Sequence, residues 1–169
     1  MVERLGDLLR QLKPKARLQW SSPENFHITT KFLGEWPEDK MKLVLGALEE
    51  MRKPGAFSLE IERLGFFPNP YSPRLLWAGV RAPQALAQLA HDTDEALGIV
   101  GVPREKRAYS PHLTLARIKP DAPLKQLRDA LATSAVVRFG ASEVRDFHLF
   151  LSRPAAGGSI YEKLATFAL

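Results

Sequence analysis

The spacing of apolar residues along the chain switches between a helical period and strict alternation, and it predicts the order of the elements. Apolar residues three or four positions apart predict helices over 2–12, 37–51 and 83–97, and a shorter helix after Pro123. Alternating positions predict strands over 16–20, 26–33, 57–61, 75–80, 111–117, 136–139, 147–151 and 160–167. Gly34 is expected to end a strand, Pro54–Gly55 and Gly98 to end helices, and Gly157–Gly158 to form a turn.

The order of elements in the second half of the chain repeats the order in the first. Each half contains a helix, a strand with a histidine, a second helix and further strands, and His27 and His112 lie about half of the 169-residue chain apart. This repeat predicts a single domain over 1–169 with two lobes, at about 1–80 and 81–169. The lobes would be related by a pseudo-twofold axis, with a cleft at that axis.

One strand is missing from this repeat. The strand over 75–80 precedes the helix at Pro83, whereas nothing precedes the first helix at Val2. A sheet edge that is left uncovered invites pairing with other chains. We therefore expect that Met1 is an internal methionine of a longer reading frame, or that the chain self-associates or is unusually labile.

The pattern His-apolar-Thr occurs twice, at 27–29 and at 112–114. Both copies lie in predicted strands, where residues two apart point to the same face. Two such strands side by side would bring two imidazoles and two hydroxyls over one cleft. The other histidines are interpreted as structural. His91 also has a threonine two residues later, but it lies in a predicted helix, where this spacing does not share a face, and His148 is a strand residue without that threonine.

Paired imidazoles suit acid–base chemistry on a phosphate ester. Because a free imidazole has a pKa near about 6.5, one histidine can be neutral and accept a proton from water while the other donates a proton to the leaving oxygen. The threonine hydroxyls can donate hydrogen bonds to the non-bridging phosphate oxygens. This scheme needs no metal and no cofactor.

Composition narrows the class of protein further. The absence of cysteine excludes disulfides, thiol nucleophiles and cysteine-bound metals. The sequence has no run of eighteen apolar residues and no signal pattern, so we expect a cytoplasmic protein without a membrane partner. The net charge of +5 and the pI of about 9.6 favour a polyanionic partner such as nucleic acid. No obligate protein partner is inferred.

Three blocks of the sequence and its ending resemble one family. They are Ser22 to Gly34 around the first motif, Phe67 to Val80 in the centre, Pro111 to Arg117 around the second motif, and Tyr161 to Phe167. Over nearly its whole length the chain resembles the 2H phosphoesterases. The match is closest to the RNA 2′,3′-cyclic phosphodiesterases, also called 2′-5′ RNA ligases or ThpR.

The resemblance implies a bilobal, LigT-like α+β fold, with mainly antiparallel sheets, helices outside and the two histidines facing across the cleft. It implies metal-independent hydrolysis of a 2′,3′-cyclic phosphate at an RNA end to a 2′-phosphate, with reversible 2′-5′ ligation left open. By the same resemblance, His27 is the proton donor and His112 the proton acceptor. The implied substrate contacts are Thr29 and Thr114 to the phosphate, Arg117 as a charged contact, and Phe32 stacked on the terminal base.

Strict alternation would place Phe32 and Arg117 on the face opposite the histidines, so each needs a bulge or a strand end to reach the cleft. The alternatives are core packing for Phe32 and a surface ion pair for Arg117. Arg104, Lys106 and Arg107 precede the second motif, where they either steer RNA or form a solvated surface.

Two other functions stay open at this point. One is a different 2H reaction, such as cleavage of 2′-5′ linkages or the reverse ligation. The other is a non-catalytic RNA-binding module on the same scaffold. The paired imidazoles argue against the module, because RNA binding alone needs basic and aromatic groups instead.

Overall fold

Helices and antiparallel strands make up the chain, which the computed structural model describes over residues 1–133, 138–155 and 158–169. This part of the chain contains four helices: α1 (Val2–Leu12), α2 (Met41–Glu50), α3 (Gln84–Ile99) and α4 (Lys125–Ala132). It also contains seven strands: β1 (Gln19–Trp20), β2 (Phe57–Phe67), β3 (Leu75–Arg81), β4 (His112–Arg117), β5 (Arg138–Val144), β6 (Asp146–Ala155) and β7 (Gly158–Ala168). The predicted α+β class is confirmed. Across these three ranges, no helix has the length and apolarity needed to cross a membrane.

The strands form two antiparallel sheets within the described residues. The larger sheet has the order β1-β4-β3-β2-β5, and the smaller is the hairpin of β6 and β7. β4 lies between β1 and β3, so the second histidine motif is held inside the large sheet. Strands from both halves of the sequence share this sheet. The division into lobes at 1–80 and 81–169 stays a prediction.

Apolar stripes on the helices form the core against the sheets. α1 buries Leu5 and Leu9, which its helical spacing places on one face, and α3 buries Leu89 and Leu97 in the same way. On the large sheet, inward-facing residues such as Ile61 are fully buried. The core therefore fixes β2, β3 and β4, which carry one side of the candidate site.

The segment around the first histidine is not a regular strand, so the prediction of a strand over 26–33 is wrong. A 3₁₀ turn at Pro23–Asn25 precedes it, and Ile28 alone makes an antiparallel bridge, to Leu113 of β4. Past that bridge the side chain of Lys31 binds an aspartate on α3. The bridge thus lies between a 3₁₀ turn on one side and this contact to α3 on the other, and in the described residues no further pair of this segment with β4 forms a ladder.

The end of α3 also differs from the prediction. The helix continues through Gly98 to Ile99, and Gly101 stops it. Gly101 has a φ of 96°, in the left-handed region that glycine adopts readily, and its N–H donates to the carbonyl of Gly98. The glycine that ends this helix is thus three residues later than predicted.

The remaining differences are changes of length. α2 ends at Glu50, before the Pro54–Gly55 pair, β1 covers only part of 16–20, and β2 runs on to Phe67. Of the strand predicted over 136–139, residues 138 and 139 belong to β5. Residues 134–137 lie outside the described residues. Gly157 of the predicted turn also lies outside them, and Gly158 begins β7.

Candidate active site

The two histidine motifs meet at their middle residues. The bridge between Ile28 and Leu113 is antiparallel. A register extended by one residue on each side would set His27 opposite Thr114, and Thr29 opposite His112. All four polar side chains would then share one face of the pair, where directly opposed residues have Cβ atoms about 4.5–5.5 Å apart. The bridge supports the predicted meeting of two imidazoles and two hydroxyls, which stays a prediction.

Both imidazoles are held by the same local contact. The Nδ1 atom of His27 lies 2.7 Å from the carbonyl oxygen of Asn25, and that of His112 lies 2.8 Å from the carbonyl oxygen of Ser110. A carbonyl oxygen only accepts hydrogen bonds, so Nδ1 carries the hydrogen in both rings. The Nε2 atom of each ring is then a base when the ring is neutral and an acid when it is charged.

An aromatic ring packs edge-on against each histidine. Tyr161 of β7 lies with its ring centroid 4.8 Å from that of His27, and Phe67 at the end of β2 lies 5.1 Å from His112. Phe67 also packs on Trp77 at 5.1 Å. A Cβ at position 65 would lie 2.2 Å from the Trp77 ring, so Gly65 is required for this stack. A single hydrogen bond from Nδ1 to a carbonyl leaves each imidazole free to tilt. The packing of Tyr161 and Phe67 fixes the planes of the His27 and His112 rings.

The backbone at the second motif is held by Ser21, the residue that follows β1. The Ser21 hydroxyl donates to the carbonyl of Thr114 at 2.9 Å, and the Ser21 N–H donates to the carbonyl of Leu115 at 2.9 Å. Both threonine side chains, Thr29 and Thr114, are half-buried. Within the described residues neither threonine hydroxyl has a hydrogen-bond partner, so both can donate to a ligand.

A β-bulge brings Arg117 to the side of the motif. Leu76 of β3 pairs with Ala116, but the next residue, Trp77, pairs with Thr114, which leaves Leu115 as the extra residue. Leu115 and Ala116 are both buried, and Arg117 is exposed. The extra residue reverses the alternation of side chains between the two faces of β4, so Arg117 lies on the same face as Thr114. Arg117 must lie on this face to reach the cleft. In the part of the chain that the structure describes, Arg117 forms no ion pair, which contradicts the surface ion-pair alternative.

Phe32 is 71% exposed, so the core-packing alternative is wrong. Phe32 lies beyond the bridge of Ile28 with Leu113, in a segment that is not a regular strand. Its position depends on the neighbouring residue, Lys31. The side chain of Lys31 is only 3% exposed; it forms an ion pair with Asp94 and donates to the carbonyl of Pro103 at 2.6 Å. An exposed aromatic ring next to a buried anchor is a suitable surface for a nucleotide base.

Asp94 on α3 is the centre of this anchor. Arg104 donates to it at 2.7 Å, and the backbone N–H of Glu105 donates at 3.0 Å. Burial works against ionisation of Asp94, but the hydrogen bonds from Lys31, Arg104 and the Glu105 backbone outweigh it and lower the pKa of this carboxyl to about 2. Arg104 is thus held in an ion-pair cluster, and like Lys106 and Arg107 it is exposed. Nothing in the local sequence of Asp94 distinguishes it from a solvated helix residue.

The other two histidines lie outside the paired motifs. His91 is exposed on α3. The Nδ1 atom of His148 lies 3.0 Å from the hydroxyl of Thr166, and its Nε2 atom lies 3.2 Å from a carboxylate oxygen of Asp146. Across the described ranges no group of three or more His, Asp or Glu side chains is arranged to bind a metal ion.

Comparisons with known proteins agree on one family. The family model described as LigT like Phosphoesterase matches residues 2–77 and 80–161. An RNA 2′,3′-cyclic phosphodiesterase of Archaeoglobus fulgidus is 36% identical over 98% of this chain and 92% of its own length. A protein of the same name from Methanothermobacter thermautotrophicus is 30% identical, over 99% of this chain and 90% of its own.

Solved structures give the same result. The crystal structure of Escherichia coli LigT complexed with 3′-AMP has a TM-score of 0.80 at 26% identity, covering 99% of this chain and 90% of LigT. A Thermus thermophilus protein has a TM-score of 0.81 at 26% identity, covering 99% of this chain and 91% of its own. Sequence, fold and paired motifs therefore lead to one conclusion: the chain belongs to the LigT-like phosphoesterase family.

Proposed function

We propose that this protein hydrolyses 2′,3′-cyclic phosphate at RNA ends to 2′-phosphomonoesters, without a metal and in the cytoplasm. One observation carries the proposal: His27 and His112 flank a single antiparallel bridge, and each is held through Nδ1 by a carbonyl two residues upstream. The names of the two archaeal relatives support the same reaction. A module that only binds RNA has no use for two imidazoles prepared in this way.

The proposed roles divide two proton transfers between the rings. His112 starts neutral and takes a proton from water, whose oxygen attacks phosphorus. The bond from phosphorus to the 3′ oxygen breaks, and His27, which starts protonated, gives its proton to that oxygen. Hydrogen bonds from the Thr29 and Thr114 hydroxyls and the charge of Arg117 stabilise the non-bridging oxygens, while Phe32 stacks on the terminal base.

The product identifies which bond breaks. A 2′,3′-cyclic phosphate has two leaving oxygens, and the attacking water must lie opposite the one that departs. With the terminal base against Phe32, the proposed orientation places the 3′ oxygen beside His27 and predicts a 2′-phosphate with a free 3′ hydroxyl. The measurement is hydrolysis of a cyclic-phosphate RNA, with the two monoesters separated against standards. A predominant 3′-phosphate would mean that the histidine roles or the substrate orientation are reversed, and no hydrolysis at all would favour the binding module.

Hydrolysis should be insensitive to chelators, because the paired imidazoles supply both proton transfers. We expect the rate to change less than about twofold after exhaustive dialysis against EDTA, because no metal ion takes part in the proposed steps. The control is the same dialysis followed by addition of magnesium, manganese or zinc. Loss of activity that a divalent ion restores would contradict the two-histidine mechanism.

A further inference from the structure

The outer face of the β6–β7 hairpin carries aromatic and basic side chains in register. His148 pairs with Thr166, Phe150 with Lys163, and Ser152 with Tyr161. The opposite face carries Leu149 and Phe167 into the core. We call His148, Phe150, Tyr161 and Lys163 the outer strip.

A second bulge creates this strip. Leu149 pairs with Ala165, but Phe150 pairs with Lys163, so Leu164 is the extra residue of β7. Without the bulge, alternation from Thr166 would turn Leu164 and Glu162 toward the outer face. With the bulge, Lys163 and Tyr161 take those places. The bulge thus places a cation and a phenol ring on the outer face, where a regular strand would place a leucine and a carboxylate.

The strip is continuous with the candidate active site. The Tyr161 ring lies 4.8 Å from His27 and 6.3 Å from the Phe150 ring, which in turn lies 5.7 Å from His148. The Nζ atom of Lys163 lies 5.9 Å from the Phe150 ring centroid and 3.3 Å from Nε2 of His148. Phe150 is 41% exposed, although it is a large apolar side chain on a sheet surface. Apart from the Tyr161 contact that orients His27, none of these contacts is used by the proposed hydrolysis itself.

We propose that the outer strip binds the nucleotides on the 5′ side of the cyclic phosphate in single-stranded RNA. This inference rests on the proposed function for the position of the RNA end. A chain whose 3′ end is docked at His27 can leave the site only in the 5′ direction. Phe150 offers a stacking surface for a base, and Lys163 beside it offers a cation for the adjoining phosphate.

Charge sets the length of the bound segment. Asp146 lies 3.2 Å from His148 at the far end of the strip, and its carboxylate repels a phosphate there. Lys163 faces the middle of the strip, between the candidate site and that carboxylate. We therefore assign to the strip the one or two nucleotides that precede the terminal one. The strip does not read sequence, because every base offers a face for stacking.

The test compares two substrates that share the reacting group. The rate constant kcat/KM is measured with a 2′,3′-cyclic mononucleotide and with a five-nucleotide single-stranded RNA that ends in the same cyclic nucleotide. Phe150→Ala and Lys163→Ala should each lower kcat/KM for the RNA about tenfold more than for the mononucleotide. Phe150→Trp, which keeps a stacking ring, should keep the preference for RNA. Lys125→Ala, which removes an exposed lysine of α4, is the control for charge.

The proposal is contradicted if Phe150→Ala and Lys163→Ala lower kcat/KM by the same factor for both substrates. It is also contradicted if Lys125→Ala lowers kcat/KM for the RNA as much as Lys163→Ala does. The salt dependence gives a second readout: in Lys163→Ala, the slope of log affinity against log salt should weaken by about 0.7, the value for one single-strand phosphate contact.

The strip can also be tested without catalysis. The probe is a fluorescent five-nucleotide RNA with a 3′ hydroxyl, bound to the intact protein and followed by anisotropy. If the protein fails to hydrolyse cyclic phosphates, weaker binding of this RNA by Phe150→Ala and Lys163→Ala still supports the strip. Equal binding by wild type and both variants overturns it, whatever the reaction is.

Discussion

Replacing either His27 or His112 by alanine is expected to lower turnover at least about a hundredfold, because each ring carries one of the two proton transfers. The fold should survive both changes. His27 is exposed and His112 is half-buried, and the bridge beside them is made by backbone atoms of Ile28 and Leu113. The measurements are the single-turnover rate on a cyclic-phosphate RNA and the midpoint of thermal unfolding.

The control for this prediction is His91→Ala, because His91 is an exposed histidine of α3 and should be nearly silent. A near-normal rate in either folded site variant would contradict the two-histidine mechanism. In the wild type, the pH profile should be bell-shaped, because the proposed mechanism needs one imidazole protonated and the other neutral. Burial raises the pKa of Tyr109 to about 12, so this phenol next to the second motif should not contribute to the basic limb.

Replacing Asp94 by alanine is expected to lower the free energy of unfolding by about 3–5 kcal/mol, the usual cost of removing one partner of a buried ion pair. The side chain of Lys31 is 3% exposed, so its ammonium would lose its counterion without gaining water. The neighbouring Phe32 would lose its anchor, and RNA binding should weaken as well. Urea unfolding measures the first effect, and KM for the cyclic-phosphate RNA measures the second.

Asp129→Ala is the matched control, because Asp129 pairs with the exposed Lys125 and such surface pairs contribute only about 0–1 kcal/mol. An Asp94→Ala variant as stable as the control would show that Lys31 is not held by charge.

The Asp94 cluster should also make the free energy of unfolding depend on pH in the acid range. Its folded pKa of about 2 lies below the ordinary value for aspartate, about 3.9. A carboxylate with a lowered folded pKa stabilises the fold above its unfolded pKa, and this stabilisation is lost as the pH falls through the folded pKa. We expect a loss of roughly 1–2 kcal/mol between pH 5 and pH 2, after allowance for solvent screening. The same titration of Asp94→Ala should lack this component.

The local sequence was enough to predict the helices, most strands and the pairing of the two motifs, because these depend on the period of the apolar residues and on residue type. It failed where the outcome depends on a distant partner. The first motif looks like a strand, yet Lys31 is drawn to Asp94, a residue of the other half of the chain. The positions of Arg117 and Lys163 depend on extra residues, Leu115 and Leu164, that are defined only by the register with a neighbouring strand.

His27 and His112 each bind a backbone carbonyl through Nδ1, which leaves each Nε2 able to act as an acid or as a base in the catalytic cycle. Under the proposed roles, one turnover removes a proton from His27 and adds one to His112, so the free enzyme that releases product is not the form that bound substrate. In the released form the acid and the base have exchanged places, which is the arrangement that the reverse reaction needs. Hydrolysis is therefore an iso mechanism, in which the free enzyme must isomerise by trading protons with solvent before the next substrate binds. The exposure of His27 and the partial exposure of His112 give both rings access to the water that completes this step.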